Sequence, residues 1–444
     1  MLVKELLNAY QDHLNKEIDI CGWVNNCRVQ TNIIFISIND GSTIENLQVV
    51  TDFTKEDKDN NQRFFSELQK GVSINIKGVV INSIGNNQDI EIKSNINQIN
   101  IIGTIDKDTY PIMKARVPLE YIRKYPEYKS RTNLGTVLAR IRNSCTMATH
   151  SFFQKNEFIN IQTPILTSND CEGAGETFIV NSLNNKFFSN KVYLTVSGQL
   201  HLETVSLGLN RVYTFGPTFR AENSNTNRHL AEFWMVEPEL CFTNFEELIQ
   251  LGEDYIKYCI NYVLENNLKD IEFIDKRVSN GKLTQLISYK DNPFKRMSYS
   301  DAINELQKLK EKVNWGDDLS TPQEKMLTKI YGPTIVYNYP KKIKSFYMKE
   351  SINDTVEAMD ILMPEIGELI GGSMREDNYD KLKNNMEEKN IDSSLDWYLN
   401  LRKNGSVPHG GFGMGFERLI MLITGLSNIK DCIHYPRFPD SCLK

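Results

Sequence analysis

The sequence predicts an α+β protein of at least two domains, a small all-β unit followed by a larger one mixing helices and strands. Three observations carry this. A chain of 444 residues exceeds what one hydrophobic core supports. Residues 18 to 103 break into short strand-like runs separated by polar turns, with no long helix between them. From residue 136 onward, helical periodicity alternates with β-like runs to the end of the chain.

The elements follow in order. A helix is predicted over residues 2 to 14. The runs IDICGWV, IIFISIND, LQVVTDF, VSINIKGVVI and DIEIK then form a small closed barrel or sandwich, and 1–103 is taken as the first domain. Residues 104–135 are polar and end in YIRKYPEYKSRTN, which marks a hinge or linker. An amphipathic helix from about 136 to 156 opens the second domain, 136–444, which carries a lysine-rich helical insertion over about 265–330.

Composition narrows the function. With 40% hydrophobic and 24% charged residues, 14 Pro and 25 Gly, the chain is neither fibrous nor disordered. A net charge of -6 excludes nucleic-acid binding by bulk charge, so such a partner would need a local basic patch. The eight Cys show no C-x-x-C pair, which points to reduced thiols and no zinc site. The start, with Lys4 and Glu5, lacks a signal-peptide core, and the run Leu419 to Leu426 is too short to span a bilayer. The expectation is a soluble protein with no membrane partner, cytoplasmic or in an organelle of a eukaryote.

Four constellations could carry chemistry. VYTFGPTFRAE and EFWMVEPEL read as a hairpin that presents Arg220, Glu222, Phe233 and Glu237 around a loop bearing Arg228 and His229. A guanidinium there suits phosphate or carboxylate. In GGFGMGFERL, Gly411, Gly413 and Gly415 strip one strand face so that a flat ligand can approach, and Arg418 sits in the first turn of the next helix. AMDILMPEIGELIGGSMRE offers Asp360 and Glu368 as carboxylate ligands for Mg²⁺, and Arg375 to grip a polar group. Glu368 and Arg375 share a strand face only if a bulge intervenes, expected at Gly371-Gly372. Finally, Glu172 and Glu176 flank a Gly-Ala-Gly turn, while Ser197 and Gln199, read as one strand face, suit an α-ammonium group. In the barrel, Arg28, Phe35 and Gln48 mix groups that bind single-stranded nucleic acid, whereas Trp23 reads as core.

Laid out together, these motifs resemble those of the class II aminoacyl-tRNA synthetases of the aspartate/asparagine/lysine subgroup, and within it the asparaginyl branch. FINIQTPIL resembles motif 1, TFRAE through EFWMVEPEL motif 2, and GFGMGFERL motif 3. The resemblance covers nearly the whole chain. It implies an anticodon-binding OB barrel, an antiparallel-sheet catalytic domain flanked by helices, and a homodimer formed through motif 1 around Pro164.

It also implies roles. Arg220 and Arg418 would be catalytic, clamping the ATP phosphates. Glu222 and Phe233 would take the adenine, Arg228 and His229 the nucleotide and acceptor end, and Asp360 and Glu368 the Mg²⁺, with Glu368 also binding the ATP. Glu172, Ser197, Gln199, Arg220, Glu237 and Arg375 would bind L-asparagine, and Arg28, Phe35 and Gln48 the anticodon of tRNA(Asn). The implied reaction activates asparagine with ATP to asparaginyl-adenylate and pyrophosphate, then charges the tRNA 3′ end, without a side-chain nucleophile. An aspartyl enzyme is the nearest rival, but Leu202 stands where that branch has a lysine. The barrel argues against a free-standing asparagine-forming paralogue, and the retained Arg220, Glu222 and Arg418 against an inactive tRNA-binding relative.

Overall fold

The computed structural model describes residues 1–85, 88–113, 117–168, 177–182, 187–391 and 393–442. It divides into two compact units, Met1–Arg140 and Ile141–Lys444, so residues 104–135 group with the barrel.

In the first unit, β1 (Glu17–Val29), β2 (Ile33–Asn39), β3 (Leu47–Asp52), β4 (Ser73–Asn82) and β5 (Ile90–Gly103) close a barrel in the order β1-β2-β3-β5-β4. All pairs are antiparallel except β3 with β5. The period-two pattern of a strand explains the sidedness. Ile34, Ile36 and Ile38 enter the core, while Ile33, Phe35 and Ser37 between them stay half-exposed. The short helix Val3–Asn8 adds the fully buried Val3 and Leu6 to the same core. Trp23 departs from expectation: it is 40% exposed, because Gly22 and Val24 on either side of it take the inward positions. The Arg131 guanidinium lies 4.7 Å from its ring centroid, a cation–π contact.

Among the described residues, the second unit is built on eleven strands: β6 (Ile159–Asn160), β7 (Leu166–Thr167), β8 (Ile179–Val180), β9 (Val192–Leu194), β10 (Arg211–Phe219), β11 (Glu232–Cys241), β12 (Lys295–Ser298), β13 (Thr334–Pro340), β14 (Thr355–Met363), β15 (Gly367–Met374) and β16 (His409–Gly415). Eight form one sheet in the order β12-β13-β14-β15-β16-β11-β10-β6, antiparallel except for the two outermost pairs. A smaller sheet runs β7-β9-β8. The helix Phe245–Asn266 opens with an Asn244–Glu247 capping box and buries Leu248, Ile249, Tyr255 and Ile256. Gly252 lets it come close to the sheet, since a Cβ there would stand 2.9 Å from Ile361 Cδ1.

The segment 265–330 is not purely a solvated helical insertion. It holds four helices, but β12 within it pairs in parallel with β13 and so extends the main sheet.

Candidate active site

The site grows along one face of β11. In the β10–β11 hairpin, Thr218 pairs with Phe233 and Thr214 with Glu237. Alternation therefore puts Phe233, Met235, Glu237 and Glu239 on a single face. β10 ends at Phe219, so Arg220 and Glu222 lie just beyond the strand, not on it as expected. The Arg220 N–H still donates to the Ala231 carbonyl at 3.0 Å, which holds the hairpin's neck closed.

At the Phe233 end is a cavity of about 150 Å³ lined by Arg220, Glu222, Arg228, His229, Phe233, Glu368 and Arg418, all seven of them predicted nucleotide residues. The Arg220 guanidinium lies 5.4 Å from the Phe233 ring centroid and 3.9 Å from the Glu222 carboxylate. His229 Nδ1 is 2.9 Å from Ser224 Oγ and 2.7 Å from Thr226 Oγ1, and Nε2 is 3.6 Å from Glu222. Arg228 donates to the Thr321 hydroxyl. Arg418, in the first turn of the helix Phe416–Thr424, donates to the Glu368 carbonyl at 2.8 Å.

The three glycines of β16 divide their work. A Cβ on Gly411 would strike the Pro238 carbonyl and the Glu239 carboxylate, so that glycine serves packing. Gly413 and Gly415 line the cavity, which is the close approach the sequence suggested.

Across the cavity, Asp360 and Glu368 converge on Gly371. An ideal Cβ there would stand 3.5 Å from Asp360 Oδ1 and 2.8 Å from Glu368 Oε1. A bulge does precede Arg375, but at Leu369 and not at Gly371-Gly372: Ile361 pairs with Ile370 and Leu362 with Glu368, leaving Leu369 extra. Lys344 Nζ donates to Asp360 at 2.8 Å, yet burial still pushes the Asp360 carboxyl up. Burial also raises Glu368, but the charges of Arg418, Lys344 and Arg220 outweigh it and hold that carboxyl low. Glu324 joins them from the helix Thr321–Tyr331 and accepts from the Glu368 N–H at 3.1 Å. Burial and the neighbouring Glu368 push its carboxyl up to about 7. Among the described residues, no cluster of three or more His, Cys, Asp or Glu has metal-binding geometry.

The other end of the face is buried. Ser197 donates to Glu237, and the Gly198 N–H donates to the same carboxylate at 2.9 Å. Burial raises the Glu237 carboxyl, and these two bonds partly offset the rise. Arg375 forks onto Glu239, not Glu237: Nε and Nη2 donate to its carboxylate, while Nη1 donates to Ser373 Oγ at 2.8 Å. Burial outweighs the guanidinium and pushes Glu239 up to about 7. Gln199 is also placed differently. It opens the helix Gln199–Leu209 and does not share a strand face with Ser197, because Leu200, Leu202 and Ser206 bury a helical face.

Behind Arg375 stand Glu203, Tyr398, Arg402 and His409, which the sequence reading missed. Glu239 was detectable, two residues from Glu237 on the same strand face. Glu203 was hidden by reading SGQL as a strand, since it meets Gln199 only at helical i,i+4 spacing.

Of the remaining predicted residues, Glu172 lies outside the described residues, as does Glu176. Pro164 is exposed between β6 and β7, beside the exposed Ile165 and Leu166. On the barrel, Arg28 pairs with Phe35 and Ser37 with Gln48, which sets all three predicted anticodon residues on the outer face of β1–β3. Gln48 donates to Glu91 at 3.1 Å.

A closed five-stranded barrel, an antiparallel sheet flanked by helices and an arginine-walled cavity over glycines define a class II aminoacyl-tRNA synthetase. The chain belongs to the family described as tRNA synthetases class II (D, K and N), whose profile matches residues 113–439; the profile of the OB-fold nucleic acid binding domain matches residues 18–102. Relatives within that family include asparagine–tRNA ligases. It is 45% identical to the probable mitochondrial asparagine–tRNA ligase of Dictyostelium discoideum, across 99% of this chain and 96% of that protein. Identity to the asparagine–tRNA ligase of Cytophaga hutchinsonii is 41%, across 99% and 98%. Among solved structures it is similar to the asparaginyl-tRNA synthetase of Pyrococcus horikoshii complexed with asparaginyl-adenylate, with TM-score 0.88, 32% identity and coverage of 99% and 98%. No helix among the described residues is long and apolar enough to cross a membrane.

Proposed function

We propose that this chain is an asparagine–tRNA ligase: it activates L-asparagine with ATP to asparaginyl-adenylate and pyrophosphate, then transfers asparagine to the 3′ end of tRNA(Asn). One observation carries the reading. Phe233 and Glu237 lie on one face of β11, four residues and therefore about 13–14 Å apart, a span suited to an extended aminoacyl nucleotide. Adenine stacks on Phe233 with its amino group toward Glu222, the phosphates lie between Arg220 and Arg418, and the amino acid reaches the buried polar end.

The asparagine carboxylate oxygen attacks the α-phosphorus, the bond to the β-phosphate oxygen breaks, and pyrophosphate leaves. Arg220 and Arg418 offset the charge that develops, and catalysis rests on orientation and preorganised electrostatics. Arg228 and His229 contact the nucleotide and the acceptor end from the loop between β10 and β11. Asp360 and Glu368 fit Mg²⁺, because the bare Gly371 leaves a cradle between two carboxylate oxygens. Bound there, the ion would further neutralise the phosphates.

Glu237 and Arg375 select the side chain. A carboxylate accepts from the amide NH₂ and repels a second carboxylate, while a guanidinium donates to the amide oxygen. Ser197 and Gln199 receive the α-ammonium, with Glu172. Arg28, Phe35 and Gln48 read the anticodon. Pro164 and its exposed apolar neighbours support a homodimer. The described cysteines are all free, which supports a reducing compartment, the cytoplasm or an organelle.

ATP–pyrophosphate exchange tests the reading. It should depend on L-asparagine and be far weaker with L-aspartate, and tRNA(Asn) should then be charged. Equal exchange with both amino acids would overturn it.

A further inference from the structure

We infer that Glu203 is a positioning residue for the amino acid: one edge of its carboxylate turns Gln199 and Arg375 toward the substrate, while the other edge is anchored to the core. The inference rests on the ligase reading above and deepens it.

Glu203 is fully buried on the helix Gln199–Leu209. Its Oε1 accepts from Gln199 Nε2 at 3.0 Å and lies 3.8 Å from Arg375 Nε. Its Oε2 meets Tyr398 Oη at 2.7 Å, Arg402 Nη2 at 2.9 Å and His409 Nε2 at 3.2 Å. Arg402 is further fixed by Nε, which donates to the Glu376 carbonyl at 2.9 Å. The Oε2 edge is thus held by side chains from three other elements, and the Oε1 edge is left to set two residues assigned to the amino acid.

The consequence for Gln199 follows from donor chemistry. An ionised carboxylate only accepts, so Glu203 selects the NH₂ end of the Gln199 amide and leaves the amide oxygen facing away. An oxygen is what an α-ammonium requires; the opposite orientation would present N–H to N–H. Burial pushes the Glu203 carboxyl up, but the His409 hydrogen bond and the charges of Arg402, His409 and Arg375 prevail and keep it ionised. The same charge steadies Arg375, whose Nε, Nη1 and Nη2 each give one N–H to Glu239 or Ser373, and a guanidinium has five to give.

Glu203→Gln tests this in the full-length enzyme. A glutamine can donate to the Gln199 oxygen and turn that amide around. The asparagine KM in pyrophosphate exchange should rise about 10- to 100-fold, the scale of a hydrogen bond to a charged group, with the ATP KM unchanged. Inhibition by succinamate, which keeps the side-chain amide but lacks the α-ammonium, should weaken less than asparagine binding does. Equal increases in both KM values, or equal losses for asparagine and succinamate, would overturn the inference. Should Glu203→Gln not fold, Tyr398→Phe decides: it removes one anchor of Oε2 and should raise the asparagine KM alone. Uniform change or none in that variant counts against the inference. Wild-type protein without asparagine-dependent exchange would instead overturn the ligase reading, and this inference with it.

Discussion

On the proposed function, the two ends of the β11 face solve different problems with similar side chains. At the nucleotide end, Arg220, Glu222, His229 and Arg418 are all a quarter or more exposed, and their mutual contacts are long. At the amino-acid end, Glu203, Glu239, Arg375 and Arg402 are almost wholly buried and tightly paired. Phosphates carry so much charge that guanidinium groups hold them even with water present. Telling an amide from a carboxylate needs a dry site, because one misplaced charge costs little in water and several kcal/mol where the dielectric is low. The nucleotide end is therefore open and charged, and the amino-acid end closed and neutralised.

Arg418→Ala should break the nucleotide end most severely. It removes the proposed phosphate donor, and adenylate formation should fall by about 10²–10³-fold or more. Binding of tRNA should be nearly unaffected. Pyrophosphate exchange and tRNA binding by filter retention or titration check both halves, and near-normal exchange would remove Arg418 from the clamp.

Glu237→Gln tests the closed end. The shape stays, but the group proposed to reject a substrate carboxylate is lost. The ratio of asparagine to aspartate activation should fall by about 10-fold or more, with a smaller change in ATP KM. An unchanged ratio would leave selectivity with Arg375 and Glu239.

The same contrast decided what could be read from the sequence. The nucleotide end is assembled from residues within short motifs, and all seven predicted residues meet in one cavity. The amino-acid end draws on residues as far apart as Glu203 and His409, which pair only after folding. Local pattern cannot announce such a network. It also misled at SGQL, where a helix begins, and it did not announce Glu239 as the partner of Arg375. In the barrel, the strand runs were legible, but Trp23 was misread because hydrophobic size alone does not say which face a strand residue takes.

Phe35→Ala sharpens the comparison from outside both ends. Phe35 lies on the barrel's outer face, in the other unit, so neither end should respond. Charging of tRNA should weaken by about 1–3 kcal/mol, the worth of one stacked base, while tRNA-independent exchange stays unchanged. If exchange fell equally, Phe35 would be holding the fold and not a base.

Glu324 is the exception at the open end, a nearly buried carboxylate beside Asp360 and Glu368, and so the sharpest small test. Its carboxyl is pushed up to about 7 by burial and by Glu368. The folded state therefore holds a proton that the unfolded chain releases at ordinary carboxylate pH. That contribution to stability is complete at acid pH and is lost as pH rises through about 7. The gap from an ordinary carboxylate sets a ceiling of about 3 kcal/mol, and in a cluster open to water on one side about 1 kcal/mol is expected. Glu324→Gln keeps an acceptor for the Glu368 N–H but cannot ionise. The variant and wild type should differ little near about pH 5, and the variant should be the more stable by about 1 kcal/mol near about pH 8. Urea unfolding at the two pH values measures this. Millimolar Mg²⁺ should narrow the difference at the higher pH, because a cation among the carboxylates relieves the same repulsion. A difference independent of both pH and Mg²⁺ would mean that Glu324 acts through packing, and that the three carboxylates do not share one electrostatic site.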